Sequence, residues 1–293
     1  MIIQANNLVK TFGKVKALDG VDLEIGSGEV YGFIGPNGAG KSTAIRVLLG
    51  VLKADSGTAR IFGHDAWNDA VEIHKRIAYV PGDVNLWDNL TGGEIIDLFV
   101  RLRKGHDTRY REELVERFDL DPTKKSGTYS KGNRQKVALV AAFASDVDLF
   151  ILDEPTSGLD PLMELVFQDC VAKAKTEGKT VLLSSHILSE VEKLCDSLSI
   201  IRSGKIVDKG TLRELRHLSR NNIAAETVKP TSFLRDMQGV YDVAETNGTV
   251  SFRADNDVTG TVMKALADAE ITHITVTPPT LEELFLSHYG DKI

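Results

Sequence analysis

Residues 35–42 read Gly-Pro-Asn-Gly-Ala-Gly-Lys-Ser, which fits the phosphate-loop pattern G-x-x-x-x-G-K-[ST]. A polyphosphate demands many hydrogen-bond donors at close range, so the loop must turn backbone N–H groups inward with no Cβ atoms in the way. Gly38 and Gly40 meet that demand within the run Gly35, Pro36, Asn37, Gly38, Ala39, Gly40. The helix expected to follow directs the positive end of its dipole to the same place. Lys41 can reach β- and γ-phosphates, and the Ser42 hydroxyl is a hard oxygen ligand for Mg²⁺. A second reactive pair closes the run Leu149-Phe-Ile-Leu-Asp-Glu. Four apolar residues make a buried strand, which delivers Asp153 and Glu154 to its C-terminal end, where open α/β sheets bind ligands. Asp153 is placed to hold Mg²⁺ directly or through water, and Glu154 to orient and deprotonate an attacking water.

The elements around these residues supply the required context. A β-rich run at 30–34 precedes the loop, and Ala44, Val47, Leu48 and Val51 then recur at helical spacing. Strands are expected at 2–8, 15–25, 58–62, 77–80, 148–152, 180–184, 198–202 and 205–208, and helices at 92–103, 109–118, 132–145, 162–177 and 187–195. Antiparallel-looking strands first, then strands separated by helices, predict an α/β core carrying a small β subdomain. The stretch 92–145 reads as a helical subdomain. Beyond residue 220 the order becomes strand (222–228), short helix (231–237), strand (240–246), strand (249–253), helix (257–269), strand (271–276). Asn247-Gly248 is a hairpin signal, because a type I′ turn needs positive φ at both central residues. That β-α-β-β-α-β order is a ferredoxin-like α+β unit. After Pro278-Pro279, Thr280-Leu-Glu-Glu283 fits a capping box for a last helix. The domain boundary is expected at 219/220, giving domains 1–219 and 220–293.

Composition narrows the classes. Two domains is the prior for 293 residues, and 42% hydrophobic with 26% charged residues is globular, not disordered, collagen-like or a disulfide scaffold. With 35 Lys+Arg against 42 Asp+Glu, the net charge is −7, a poor basis for gripping nucleic acid. Cys170 and Cys195 form no metal spacing and suit buried thiols in a reducing compartment. The N-terminus lacks a basic region followed by an apolar one, and no apolar run nears the ~20 residues that cross a bilayer.

Over residues 1 to about 220 the chain resembles the ATP-binding subunits of ATP-binding-cassette (ABC) transporters, and within them the bacterial ABC-2-type drug and antibiotic exporters. That resemblance implies a P-loop cassette with a RecA-like α/β core, an antiparallel β subdomain and a helical subdomain. It implies ATP and Mg²⁺ as cofactors, with Thr43 completing the nucleotide cradle and Lys41 assisting catalysis. Phe12 falls where the family stacks an aromatic on adenine. Asp160, in Ser157-Gly-Leu-Asp-Pro161, resembles the loop that crosses the family's dimer interface. His186, after the apolar strand Val181-Leu-Leu-Ser-Ser, matches the switch histidine that meets the γ-phosphate. Residues 129–135, Tyr-Ser-Lys-Gly-Asn-Arg-Gln, stand where the family has Leu-Ser-Gly-Gly-Gln. Ser130 and Gly132 keep their places, and a Ser cap before open N–H groups at a helix start is an anion site in itself.

One position departs from the family pattern. Ile77-Ala-Tyr-Val-Pro81 leads up to a glutamine in the family; here Gly82 and then Asp83 follow. Gly82 has no side chain to ligate Mg²⁺ or to couple the site to a membrane subunit, so Asp83 is the candidate substitute. The resemblance further implies that two copies of the chain sandwich two ATP molecules head-to-tail, beside a separate integral membrane permease, on the inner face of the cell membrane. Two other readings belong beside it. Non-transport ABC ATPases of DNA repair or translation carry a long coiled-coil insertion or two cassettes, and this chain has neither. Alternatively, residues 220–293 bind a small ligand that gates the ATPase.

Overall fold

The computed structural model describes residues 1–103, 108–217, 220–246, 248–278, 280 and 282–283. Two compact units divide at Lys209/Gly210. The division falls ten residues before the boundary expected at 219/220, because a helix at Leu212–His217, absent from the sequence reading, belongs to the second unit, where its Leu215 is buried.

The first unit opens with strands β1 (Ile3–Phe12), β2 (Val15–Ile25) and β3 (Val30–Ile34), followed by helix α1 (Lys41–Leu48). Next come β4 (Ser56–Ile61), β5 (His64–Asp65), α2 (Ala70–His74) and β6 (Ile77–Val80). Helices α3 (Gly92–Leu102), α4 (Thr108–Arg117) and α5 (Lys131–Phe143) form a helical stretch, and β7 (Leu149–Asp153), α6 (Pro161–Thr176), β8 (Thr180–Ser185) and α7 (Leu188–Leu194) restore the alternation. Strands β9 (Ser197–Arg202) and β10 (Lys205–Thr211) follow, and the division cuts β10 before its last two residues. The order β2-β1-β4-β5 makes an antiparallel sheet, and β10-β9-β3-β8-β7-β6 a second sheet with β9, β3, β8, β7 and β6 parallel.

Every residue of β3, β7 and β8 is buried, which is what strands covered on both faces require. β1 and β2 instead alternate buried with exposed positions, as a sheet wet on one face does. One apolar cluster joins the two sheets through Ile3, Val21, Phe33, Ile45 and Ile151. β1 runs to Phe12, four residues beyond the expected strand, and pairs Phe12 with Val15 at the hairpin tip. β5 and α2 were not legible: β5 is two residues long, and α2 has five, of which only Ile73 is buried.

The second unit begins with α8 (Leu212–His217) and continues β11 (Asn221–Thr227), a 3-10 helix (Ser232–Asp236), β12 (Val240–Thr246), β13 (Thr249–Ala254), α9 (Thr259–Asp268) and β14 (Ile271–Thr277). Its antiparallel sheet has the order β12-β13-β11-β14, the ferredoxin-like arrangement expected from the sequence, with a 3-10 helix in the place of the first helix. Ile223, Ala225, Val250 and Phe252 of the sheet pack with Val262 and Leu266 of α9. In the hairpin turn Gly248 has φ 80°, and Asn247 lies outside the described residues. The capping box forms: Thr280 N donates to Glu283 Oε2 (3.0 Å) and Glu283 N to Thr280 Oγ1 (3.2 Å). The rest of that expected helix, residues 284–293, lies outside the described residues.

Candidate functional site

The loop at 35–42 leaves the end of β3 and enters α1 with Gly40 as its cap, at φ 116°. Side chains are excluded from its floor. A Cβ on Gly40 would stand 2.6 Å from Ala17 O, and one on Gly35 would stand 2.4 Å from Ile201 O. The floor is braced further by Gly204 N donating to Ala39 O (2.9 Å) and Ala39 N to Pro36 O (3.1 Å). Asn37 and Gly38 lie exposed at the loop tip, while Ser42 and Thr43 are half-buried on the first turn of α1. Lys41 is buried to 5% exposure and folds back, its Nζ donating to Gly35 O (2.6 Å) and Pro36 O (3.3 Å).

Strand β7 delivers the two carboxylates as its position next to β8 dictates. Asp153, the last residue of β7, is 5% exposed, and the Ser184 hydroxyl of β8 donates to its Oδ1. Burial, reinforced by the Asp153 charge, pushes the Tyr79 phenol on neighbouring β6 up to about 12. Glu154 follows at φ 47°, a left-handed conformation that costs a non-glycine residue of order 1 kcal/mol and that functional sites collect. Its backbone N–H donates to Ser184 O (3.0 Å). That turn points the carboxylate at two groups: Oε1 lies 3.5 Å from Lys41 Nζ and 3.4 Å from His186 Nδ1. Lys41, Glu154 and His186, from three separate segments, therefore meet.

The segment at 129–135 meets the residues after Glu154 within the same chain. Ser130 caps α5, its Oγ accepting from Asn133 N (3.2 Å). Lys131 Nζ donates to Ser157 Oγ (2.9 Å), and the buried Gln135 amide donates to Pro155 O (2.9 Å). A Cβ on Gly132 would stand 2.5 Å from Gly158 O, so only glycine allows that approach. Asp160 caps α6, with Oδ1 accepting from Leu162 N and Met163 N at 3.0 Å each. Sequence reasoning missed the roles of Ser184 and Gln135; Ser184, a polar residue closing the apolar run Val181-Leu-Leu, left a signal, whereas Gln135 stands among polar neighbours and left none.

Phe12 ends β1 half-exposed, with the Lys10 ammonium 5.7 Å from its ring centre. A Cβ on Gly82 would stand 3.2 Å from Asp153 O and 3.5 Å from Glu154 Cβ, so Gly82 faces the backbone that carries the carboxylate pair. Asp83 is exposed, and among the described residues its side chain makes no hydrogen bond or ion pair. No group of three or more metal-ligating His, Cys, Asp or Glu side chains occurs among the described residues. The donor set that remains, one hydroxyl and one buried carboxylate beside a polyphosphate cradle, fits Mg²⁺, which keeps waters and takes phosphate oxygens. No described helix is long and apolar enough to cross a membrane.

Comparison with known proteins agrees with this geometry. Residues 18–157 match the family described as ABC transporter, and residues 210–289 match the ATP-binding protein DrrA1-3-like C-terminal domain. The daunorubicin/doxorubicin resistance ATP-binding protein DrrA of Streptomyces peucetius is 35% identical, over 98% of this chain and 92% of its own. The bacitracin transport ATP-binding protein BcrA of Bacillus licheniformis is 30% identical, over 99% of this chain and 97% of its own. Among solved structures, an ATP-binding subunit of an ABC transporter is similar at TM-score 0.70 and 31% identity, over 74% of this chain and 93% of its own. A dimeric bacterial ABC transporter cassette gives TM-score 0.65 and 25% identity, over 72% and 99% respectively. The chain belongs to the ATP-binding proteins of ABC transporters.

Proposed function

We propose that this chain hydrolyses ATP to drive a drug or antibiotic exporter, with the residue roles as follows. The observation that carries the reading is the meeting of Lys41, Glu154 and His186 beside a phosphate loop whose floor admits no side chain at Gly35 or Gly40. Backbone N–H groups of residues 35–43 and the α1 N-terminus bind the phosphates, and Phe12 offers an exposed ring face to the adenine. Ser42 and Asp153 would hold Mg²⁺, which would supply positive charge against the phosphates. Glu154 accepts the proton of the water that attacks the γ-phosphorus in line, while Lys41 and His186 face the charge on the phosphoryl oxygens.

At the start of α5 the Ser130 hydroxyl takes the Asn133 N–H, and the neighbouring first-turn N–H groups, that of Gly132 among them, need an acceptor from outside the helix. Head-to-tail pairing of two copies supplies one: the ATP held by the partner. The dimeric cassette among the similar structures supports that pairing. Asp160, exposed at the start of α6, lies in the loop that would cross between copies. DrrA and BcrA bear names of daunorubicin/doxorubicin resistance and bacitracin transport, which favours export of a drug or antibiotic through a separate membrane permease, with this chain on the inner face of the cell membrane. The acidic balance supports neither a DNA nor an RNA partner.

The test is inside-out vesicles holding the chain with a candidate permease, one bearing about six apolar ~20-residue segments. ATP should drive uptake of daunorubicin or bacitracin, and Glu154→Gln should abolish it. Vesicles that retain ATP hydrolysis but neither bind the chain nor move either compound would overturn the exporter reading.

A further inference from the structure

Glu190 on α7 has 5% of its surface exposed and takes no part in the chemistry above. Its Oε1 is buried and has no hydrogen-bond partner among the described residues. Its Oε2 accepts from the Ser185 hydroxyl at 3.0 Å, and Ser185 Oγ in turn accepts from Ile187 N at 2.9 Å. Ser185 and Ile187 are the two neighbours of His186. The chain Glu190–Ser185–Ile187 therefore closes around the peptide that carries the histidine.

That arrangement is not what packing alone would select. A buried carboxylate with an orphaned oxygen is costly, and an apolar side chain of the same size avoids the penalty. The His186 side chain is half-exposed, and its partner in the site is Glu154 Oε1 at 3.4 Å. The same Ser185 hydroxyl lies 3.4 Å from Ile187 O, and Ile187, the cap of α7, makes no side-chain cap bond. A carboxylate accepts the Ser185 hydroxyl more strongly than a neutral oxygen would, and so holds that hydroxyl's lone pair on Ile187 N.

We propose that Glu190 is a positioning residue for ATP hydrolysis: through Ser185 it fixes the backbone on both sides of His186, so that the imidazole stays aimed at Glu154 and the γ-phosphate. The proposal rests on reading His186 as the group that meets the γ-phosphate. Positioning errors of this kind act on the chemical step and leave substrate binding to the loop around Lys41.

The experiment measures phosphate release by the full chain with ATP and Mg²⁺, together with ATP affinity and thermal midpoint. Glu190→Leu should lower kcat about tenfold with KM for ATP within about twofold, since only transition-state contacts are lost. Glu190→Gln, which keeps an acceptor for Ser185, should recover kcat to within about threefold of the parent. On a His186→Ala background, Glu190→Leu should cost nothing further, because the residue it positions is gone. Ser185→Ala removes the same link without emptying the Glu190 site, and carries the test if the leucine variant does not fold. An unchanged kcat in both variants overturns the proposal, as does a loss that is equal and additive on the His186→Ala background. If His186→Ala itself is silent, the histidine reading fails instead, and the two outcomes are thereby distinguished.

Discussion

Lys41 Nζ lies 3.5 Å from Glu154 Oε1 while donating to Gly35 O at 2.6 Å. One buried ammonium is thus shared between the phosphate loop and the carboxylate proposed as base. A γ-phosphate entering the loop would compete with Glu154 for that charge, so ATP binding is expected to draw the cation towards phosphate and leave the carboxylate free for water. The β7–β8 pairing makes this possible, because Ser184 fixes both Asp153 Oδ1 and Glu154 N from one position.

Glu154→Gln removes a negative charge beside the phosphates and the proton acceptor together. ATP affinity should rise, dimers should accumulate with ATP on size-exclusion chromatography, and kcat should fall by about 10²- to 10⁴-fold, the usual worth of a general base. Lys41→Ala should abolish ATP binding in an equilibrium titration. Unchanged phosphate release in the first variant, or unchanged affinity in the second, contradicts the roles given to them.

Gly132→Ala tests the contact between the α5 start and the turn after Glu154. Its Cβ would lie 2.5 Å from Gly158 O, a distance no real pair adopts, so the helix start or the turn must move. ATPase activity should drop at least tenfold while the Lys41 loop still binds ATP, since the two lie on different segments. Ser130→Ala should cost about 1 kcal/mol of stability as a lost helix cap, and more in turnover than that loss explains. Circular dichroism melts beside phosphate-release rates separate the two effects.

Gly82→Gln restores the side chain the family usually has. The new Cβ would sit 3.2 Å from Asp153 O, tight enough to need a shift of a few tenths of an ångström and no more. The amide would then stand beside Asp153 and Glu154. We expect the Mg²⁺ concentration for half-maximal ATPase to fall, with the fold unchanged by circular dichroism. An identical Mg²⁺ titration in the two proteins means that the position is neutral for the metal.

The phosphate loop, the carboxylate pair and nearly every long element were legible because each leaves a local mark: glycines with a Lys-Ser, an apolar run closed by charge, or a period of two or 3.6. The ferredoxin-like order was legible for the same reason, with Asn247-Gly248 marking the hairpin. Short elements such as β5 and α2 leave no period to read. The boundary near 209 was missed because the helix α8 is six residues long with one buried leucine, Leu215, among the side chains described. What holds the site together was also hidden. Ser184 and Gln135 act across 31 and 20 residues of sequence, on partners that only pairing of β7 with β8 and docking of α5 bring near, while Glu190 reaches Ser185 across the turn into α7. Asp83 shows the opposite limit: its carboxylate was legible in the sequence, yet it is exposed, and among the described residues its side chain makes no hydrogen bond or ion pair that would show what it holds.

The buried thiols give a pH prediction with a fixed sign. Burial pushes the Cys170 thiol up to about 11 and raises Cys195 further, so both stay protonated in the fold at pH values where an unfolded chain ionises. Above an unfolded thiol pKa of about 8.5, the unfolded state binds fewer protons than the native one, and stability falls as pH rises. The contribution of Cys170 is therefore complete below that value and is lost progressively up to about pH 11. The thermal midpoint should decline between pH 8.5 and 10.5, and Cys170→Ala should flatten that decline at the cost of a lower midpoint throughout, because a buried side chain has been shortened. Iodoacetamide at pH 8 should label neither thiol of the native chain and both after denaturation. Rapid native labelling of either thiol would contradict the burial on which the sign depends.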